Sequence, residues 1–135
     1  MIKYCGSTNK IAIMIPIDRQ ALFLAPKKPL IDWVNYVFPD EEKVDPEEPL
    51  TNDWGTVYLV PIFNSEEEYE GWMKENFQAF FETELFDWCE DETQWPTPLT
   101  MELFQEWFHV SFQSVVLDTI DLPITKDDEE DDWDF

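Results

Sequence analysis

The stretch GTVYLVPIFNSEEEYEGWMKENFQAFFETELFDW, residues 55–88, holds the logic of the fold in two halves. Its opening, residues 55–63, is rich in β-branched and aromatic side chains and carries Pro61 near its end, which predicts a strand. Ser65 then stands three residues before Glu68, a capping box, and Glu66 and Glu67 suit the positive end of a helix dipole. Tyr69, Trp72, Met73, Phe77, Phe80, Phe81, Leu85 and Trp88 recur at three- and four-residue steps. The helix they predict runs to about residue 88 and spans about 35 Å. A strand leading directly into a long amphipathic helix points to a sheet with helices packed on it.

Outward from this pair, IAIMIPIDRQALFLAP reads as two short strands, 10–17 and 20–25, joined at Asp18-Arg19, with Pro16 suited to an edge. In KKPLIDWVNYVFP, Pro29 fits a first helical turn, Leu30, Trp33, Val34 and Val37 follow at helical spacing, and Pro39 stops the helix. DEEKVDPEEPLTND, residues 40–53, is a polar loop without apolar period. ETQWPTPL, residues 92–99, interrupts the chain with two prolines, and Thr100 caps a third helix through about Phe108. In HVSFQSVVLDTID, Val110, Phe112, Ser114 and Val116 alternate like a strand, while Phe104, Phe108, Phe112 and Val116 step like a helix. The β-branched density favours the strand. The expectation is an α+β fold of order β-β-α-β-α-α-β: one domain over residues 1–123, with a mixed or antiparallel sheet of about four strands covered on one side by about three helices. Residues 124–135 read as a mobile acidic tail.

Composition supports a folded chain. Of 135 residues, 44% are hydrophobic, with 7 Trp and 11 Phe, enough to bury a core against the self-repulsion of a net charge of −23. The charge is uneven: Lys3, Lys10, Arg19, Lys27 and Lys28 face only Asp18 in residues 1–28, whereas Lys43, Lys74 and Lys126 are the only later cations. Such a field repels phosphate backbones and anionic membrane surfaces, so direct nucleic-acid and membrane binding are excluded and a basic protein partner is expected. Solubility alone is the competing explanation of the acid. Cys5 and Cys89 lack metal-like spacing and fit a reducing compartment, and whether they pair is open. The apolar run IAIMIPI is too short for a signal peptide, and no stretch approaches the roughly 20 residues of a membrane span. A cytoplasmic monomer or weak homodimer is the expectation.

No catalytic signature emerges. Glu106 and His109 make an E-x-x-H step, half of a di-iron site, but His109 is the only histidine. Cys89 is crowded by Asp87, Glu90, Asp91 and Glu92, which disfavour a thiolate, so a packing role at a helix end is expected. Asp87, Glu90 and Asp91 lack the glycine of a calcium loop, and three glycines in all leave no phosphate-cradling loop. Asp118 and Asp121, with Glu106, make the best case for a divalent-metal-dependent enzyme, though on one strand the two aspartates fall on opposite faces. No cofactor is expected.

The helix acids form the more informative array. Glu68, Glu75 and Glu82 lie seven residues apart, about 10 Å per step, with Glu67, Glu70 and Glu84 beside them and Glu70–Lys74 the single opposite-charge pair at i,i+4. In being small, very acidic and aromatic-rich, the chain is similar to DNA-mimic proteins. That likeness, one of composition, implies carboxylates standing in for phosphates in another protein's DNA-binding groove. The ending KDDEEDDWDF resembles the C-terminal tip of bacterial single-stranded-DNA-binding proteins. That resemblance implies that Phe135 and its carboxylate enter a partner's pocket, with Trp133 and Asp134 behind it and Asp127 to Asp132 on a basic rim. The rest of the chain departs from that family, lacking its basic groove for single strands. Alternatively, Trp133 and Phe135 fold back and lay the acids near Arg19, Lys27 and Lys28. The leading expectation is an acidic protein-interaction module using Glu68, Glu75 and Glu82, the tail residues Trp133, Asp134 and Phe135, or both. A DNA-mimic inhibitor and a metal-dependent enzyme are the alternatives.

Overall fold

The computed structural model of the chain describes residues 13–45 and 54–127. Strand β1 is Ile15–Pro16, β2 Gln20–Pro26, β3 Thr56–Val60, β4 Phe108–Gln113 and β5 Leu117–Asp118. Among the described residues the helices are α1 Lys28–Val37, α2 Glu66–Trp88 and α3 Met101–Trp107, with a 3-10 turn at Glu92–Gln94. The order is that of an α+β fold, as expected, and both sheets are antiparallel.

The chain forms two compact units. In the larger, Asp18–Val115, the strand order is β3-β2-β4. Alternation along β2 explains its burial. Leu22 and Leu24 are fully buried with the helices over them, whereas Phe23 between them is exposed on the opposite face. On that opposite face Phe23 pairs with Val57, also exposed, and its ring crowds Gly55 so closely that an added Cβ would meet it at 2.4 Å. On the helix side, Leu22, Leu24 and Val60 pack with Leu30, Ile31 and Val34 of α1 and with Met73, Phe81 and Leu85 of α2. Phe81, Phe104 and Phe108 are completely buried and meet pairwise at ring separations of 5.6, 5.6 and 5.2 Å. Ring pairs of this kind contribute about 0.5–1.5 kcal/mol beyond their buried area.

Helix ends follow their local chemistry. Pro29 lies in the first turn of α1, and α1 stops two residues before Pro39. For α2 the Glu68 N–H donates to Ser65 Oγ (3.1 Å), and the Glu68 carboxylate accepts from the Asn64 N–H (2.9 Å). The capping box is thus made in both directions, its return bond landing one residue earlier than in the usual form. Thr100 Oγ1 caps α3 through the Leu103 N–H. Gln20, buried at the start of the central strand, ties both edges together: its Oε1 accepts from the Phe63 N–H (2.8 Å) and its Nε2 donates to the Ser114 carbonyl (3.3 Å).

In the smaller unit, described over residues 13–17 and 116–127, β1 pairs with β5, with Ile15 opposite Asp118 and Pro16 opposite Leu117. Two expectations are corrected here. The segment around Asp18-Arg19 does not join a hairpin, because β2 gives one edge to β3 and the other to β4 and keeps none for the strand before it. Residues 109–120 are not one strand. The pairing with β2 ends at Gln113, Ser114 turns its carbonyl to Gln20, and Leu117–Asp118 join a different sheet. Residues 10–12 of the expected first strand lie outside the described residues.

Candidate functional site

Helix α2 carries Glu66, Glu67, Glu68, Glu70, Glu75, Glu82 and Asp87 exposed, with Lys74 its only cation. Among the described residues two ion pairs form, Arg19–Asp18 at 2.9 Å and Lys28–Asp32 at 2.8 Å, each between sequence neighbours. The Glu70–Lys74 pair anticipated from spacing is not among them, and among the described residues no salt bridge engages an acid of this helix. Carboxylates one heptad apart, about 10 Å, repel by about 0.4 kcal/mol per pair in water, a cost that a cationic partner would remove.

The three glutamates singled out by spacing differ in what else they do. Glu68 is occupied at the helix cap, accepting from the Asn64 N–H. Glu82 accepts from Gln78 Nε2 at 3.1 Å across one helical turn, and Glu75 stands exposed on the same helix. Trp133, Asp134 and Phe135 lie outside the described residues, as does Cys5.

Glu84 corrects the expectation most sharply. It is 4% exposed and faces the sheet, accepting a hydrogen bond from the Tyr58 hydroxyl. Phe80, one turn before it, packs edge-on against Tyr58 at 4.8 Å, and Trp88, one turn after it, packs against Trp54 at 5.7 Å. The carboxyl therefore sits in an aromatic frame, with no salt bridge to it among the described residues. Burial pushes its pKa above 4.5, hydrogen bonds from Tyr58 and Thr56 pull it back, and the Asp87 charge raises it further. The same burial, with the carboxylates of Glu84 and Asp87, drives the Tyr58 hydroxyl well above its ordinary value. The carboxyl of Glu84 is thus turned inward and held by the half-buried Tyr58. Its signal was present in the sequence: Phe80, Glu84 and Trp88 are four apart and lie on the inward stripe.

The remaining candidates are dispersed. Glu106 is on α3 and His109 on β4, since the helix ends at Trp107, so the E-x-x-H step does not share a helical face. Cys89 ends α2 as a buried free thiol, in the packing position expected. Asp91 is engaged with the Thr93 hydroxyl (2.6 Å) and N–H (3.1 Å), which hold its carboxyl below the ordinary value. Asp118 lies on β5 and accepts from the Ile120 N–H at 2.9 Å, while Asp121 follows beyond the strand. Among the described residues no group of three or more His, Cys, Asp or Glu side chains is arranged to hold a metal ion. Nor is any described helix long and apolar enough to cross a membrane. Comparison with protein-family models, curated proteins and solved structures finds no match.

Proposed function

We propose that this chain is an acidic protein-interaction module that binds a basic protein partner through the outer face of α2. The observation that supports it is the run of exposed carboxylates on that helix, Glu75 and Glu82 foremost, without a salt bridge among the described residues, in a chain of net charge −23. A field of that sign attracts a cationic surface from a distance and raises the rate of encounter, and the attraction weakens as salt rises. Glu68 contributes charge while capping the helix. The acidic ending with Trp133, Asp134 and Phe135 is a second carrier of the same chemistry, as an anchor peptide for a basic-rimmed pocket.

The test is capture from the native host lysate at low salt. It compares the full chain, a version ending at Lys126, and the double reversal Glu75→Lys with Glu82→Lys. The reading expects one basic protein, released near 1 M salt where screening acts within about 3 Å, and lost on charge reversal. Loss on truncation instead assigns binding to the tail. Displacement of the partner by excess duplex DNA assigns the face to mimicry of nucleic acid. A capture indifferent to salt, to reversal and to truncation would refute the proposal.

A further inference from the structure

Leu24, at the centre of the sheet, is fully buried beneath the helices, yet Val110, its neighbour across β4 on the same side, is 39% exposed. The gap beside Val110 is an open groove of about 310 Å³. Met73 of α2 and Phe104 of α3, both buried, line its floor, Tyr69 and Met101 stand half-buried, and Glu70 and Gln105 are exposed. β4 is also a sheet edge: it pairs with β2 on one side, and among the described residues no strand pairs with the other. A place for an apolar side chain and a strand edge unpaired among the described residues therefore lie together.

We infer that this groove takes an extended segment of a basic protein, which adds to β4 as a strand. It sets one apolar side chain on Met73 and Phe104, and a Lys or Arg two residues away against Glu70. The sign of the partner's charge rests on the function proposed above; the strand form and the apolar anchor are new. An open edge is satisfied only by extended backbone, since a helix has spent its own N–H and C=O groups. A volume near the lower end of ligand sites, roughly 300 Å³, suits a single side chain. Leucine and lysine two apart on a strand face the same side, as the floor and Glu70 require. Met73 and Met101 are polarisable and adapt to the shape of what they meet. Glu70, on a helix with one lysine, favours a basic flank and repels an acidic one. A second copy of the chain would bring its own charge of −23 and is the wrong occupant. The edge along β3, also unpaired among the described residues, is poorer: the groove there includes Arg19, and Pro61 follows the strand without a donor.

The test uses the full chain, labelled with nitrogen-15 and at the methionine methyls, titrated with acetyl-Thr-Leu-Thr-Lys-Thr-amide. Controls are the same peptide N-methylated at every residue, which has no backbone N–H to donate to an edge, and the peptide with glutamate in place of lysine. The expected result is movement of the amides of residues 108–113 and of the Met73 and Met101 methyls. Both controls should bind about tenfold more weakly. Gln105→Trp, at an exposed position, should fill the groove and weaken binding by a similar factor. Shifts confined to the outer face of α2, unaffected by Gln105→Trp, would overturn the groove while leaving the acidic-face reading intact. Equal binding of the lysine and glutamate peptides in the groove would overturn the basic occupant there, while the acidic-face reading stands or falls on the reversal of Glu75 and Glu82. No shift at millimolar peptide would overturn the inference outright.

Discussion

Replacing Tyr58 with phenylalanine removes one hydroxyl and, with it, a hydrogen-bond donor to a carboxyl that is 4% exposed. The ring packing against Phe80 is retained, so the change isolates the bond. A hydrogen bond to a charged group contributes about 1.5–3 kcal/mol, and one between neutral groups about 1 kcal/mol. The cost must therefore depend on whether Glu84 is ionised. Its folded pKa is raised above 4.5, so Glu84 contributes stability that is present below the unfolded value and lost as pH rises through the folded one. The Tyr58 bond opposes that loss by favouring the carboxylate, and without it the folded pKa climbs further. Tyr58→Phe should thus cost about 2 kcal/mol at pH 8 and about 1 kcal/mol at pH 4. At roughly 4 °C per kcal/mol for a chain of this size, the melting temperature falls by about 8 °C and about 4 °C respectively. Glu84→Gln keeps an acceptor for the hydroxyl but never ionises, so its stability should decline less between pH 4.5 and 8 than that of the unmodified chain. Thermal unfolding followed by circular dichroism across this range, on both variants and the double variant, measures the coupling. Equal cost of Tyr58→Phe at pH 4 and pH 8, or zero coupling in the cycle, would refute the reasoning.

Gln20→Met should destabilise by about 2–4 kcal/mol in urea unfolding, because it strands the Phe63 N–H and the Ser114 carbonyl that one side chain now serves. Phe81→Ala, at a fully buried ring touching Phe104, Trp107 and Phe108, should cost about 3–5 kcal/mol and leave little folded protein at 37 °C. Raising sodium chloride from about 0.01 to 0.5 M should stabilise the unmodified chain by about 1–2 kcal/mol as the screening length falls below the spacing of the α2 acids. A melting temperature that falls over that range would show that attraction, not repulsion, dominates the surface.

Much of the architecture was legible because its signals are local. The stripe from Tyr69 to Trp88, the Ser65–Glu68 box and Thr100 before α3 each act within one or two helical turns, and each forms where the spacing predicts. Strand pairing is not local. Nothing in IAIMIPIDRQALFLAP reveals that β2 will be claimed on both sides by residues far along the chain. The acidic array was legible as charge but not as allocation: Glu68 is engaged at the cap and Glu84 is turned into the core. Residue type points Glu84 outward, although its place four residues from both Phe80 and Trp88 puts it on the inward stripe. The groove beside Val110 left no trace in the sequence, because it exists only where α2, α3 and the edge of β4 meet.

The central position of β2 has a consequence for synthesis. One neighbour, β3, begins thirty residues after β2 ends, but the other, β4, places Gln113 opposite Ala21. At roughly 5–20 residues per second, the ribosome takes about 5–18 s to deliver that second neighbour. Throughout the interval the apolar residues Leu22 and Leu24 lack at least one strand neighbour, behind a nascent chain growing steadily more acidic. The glutamates of α2 arrive before β4 does, so their charge is already present to hold unfinished copies apart.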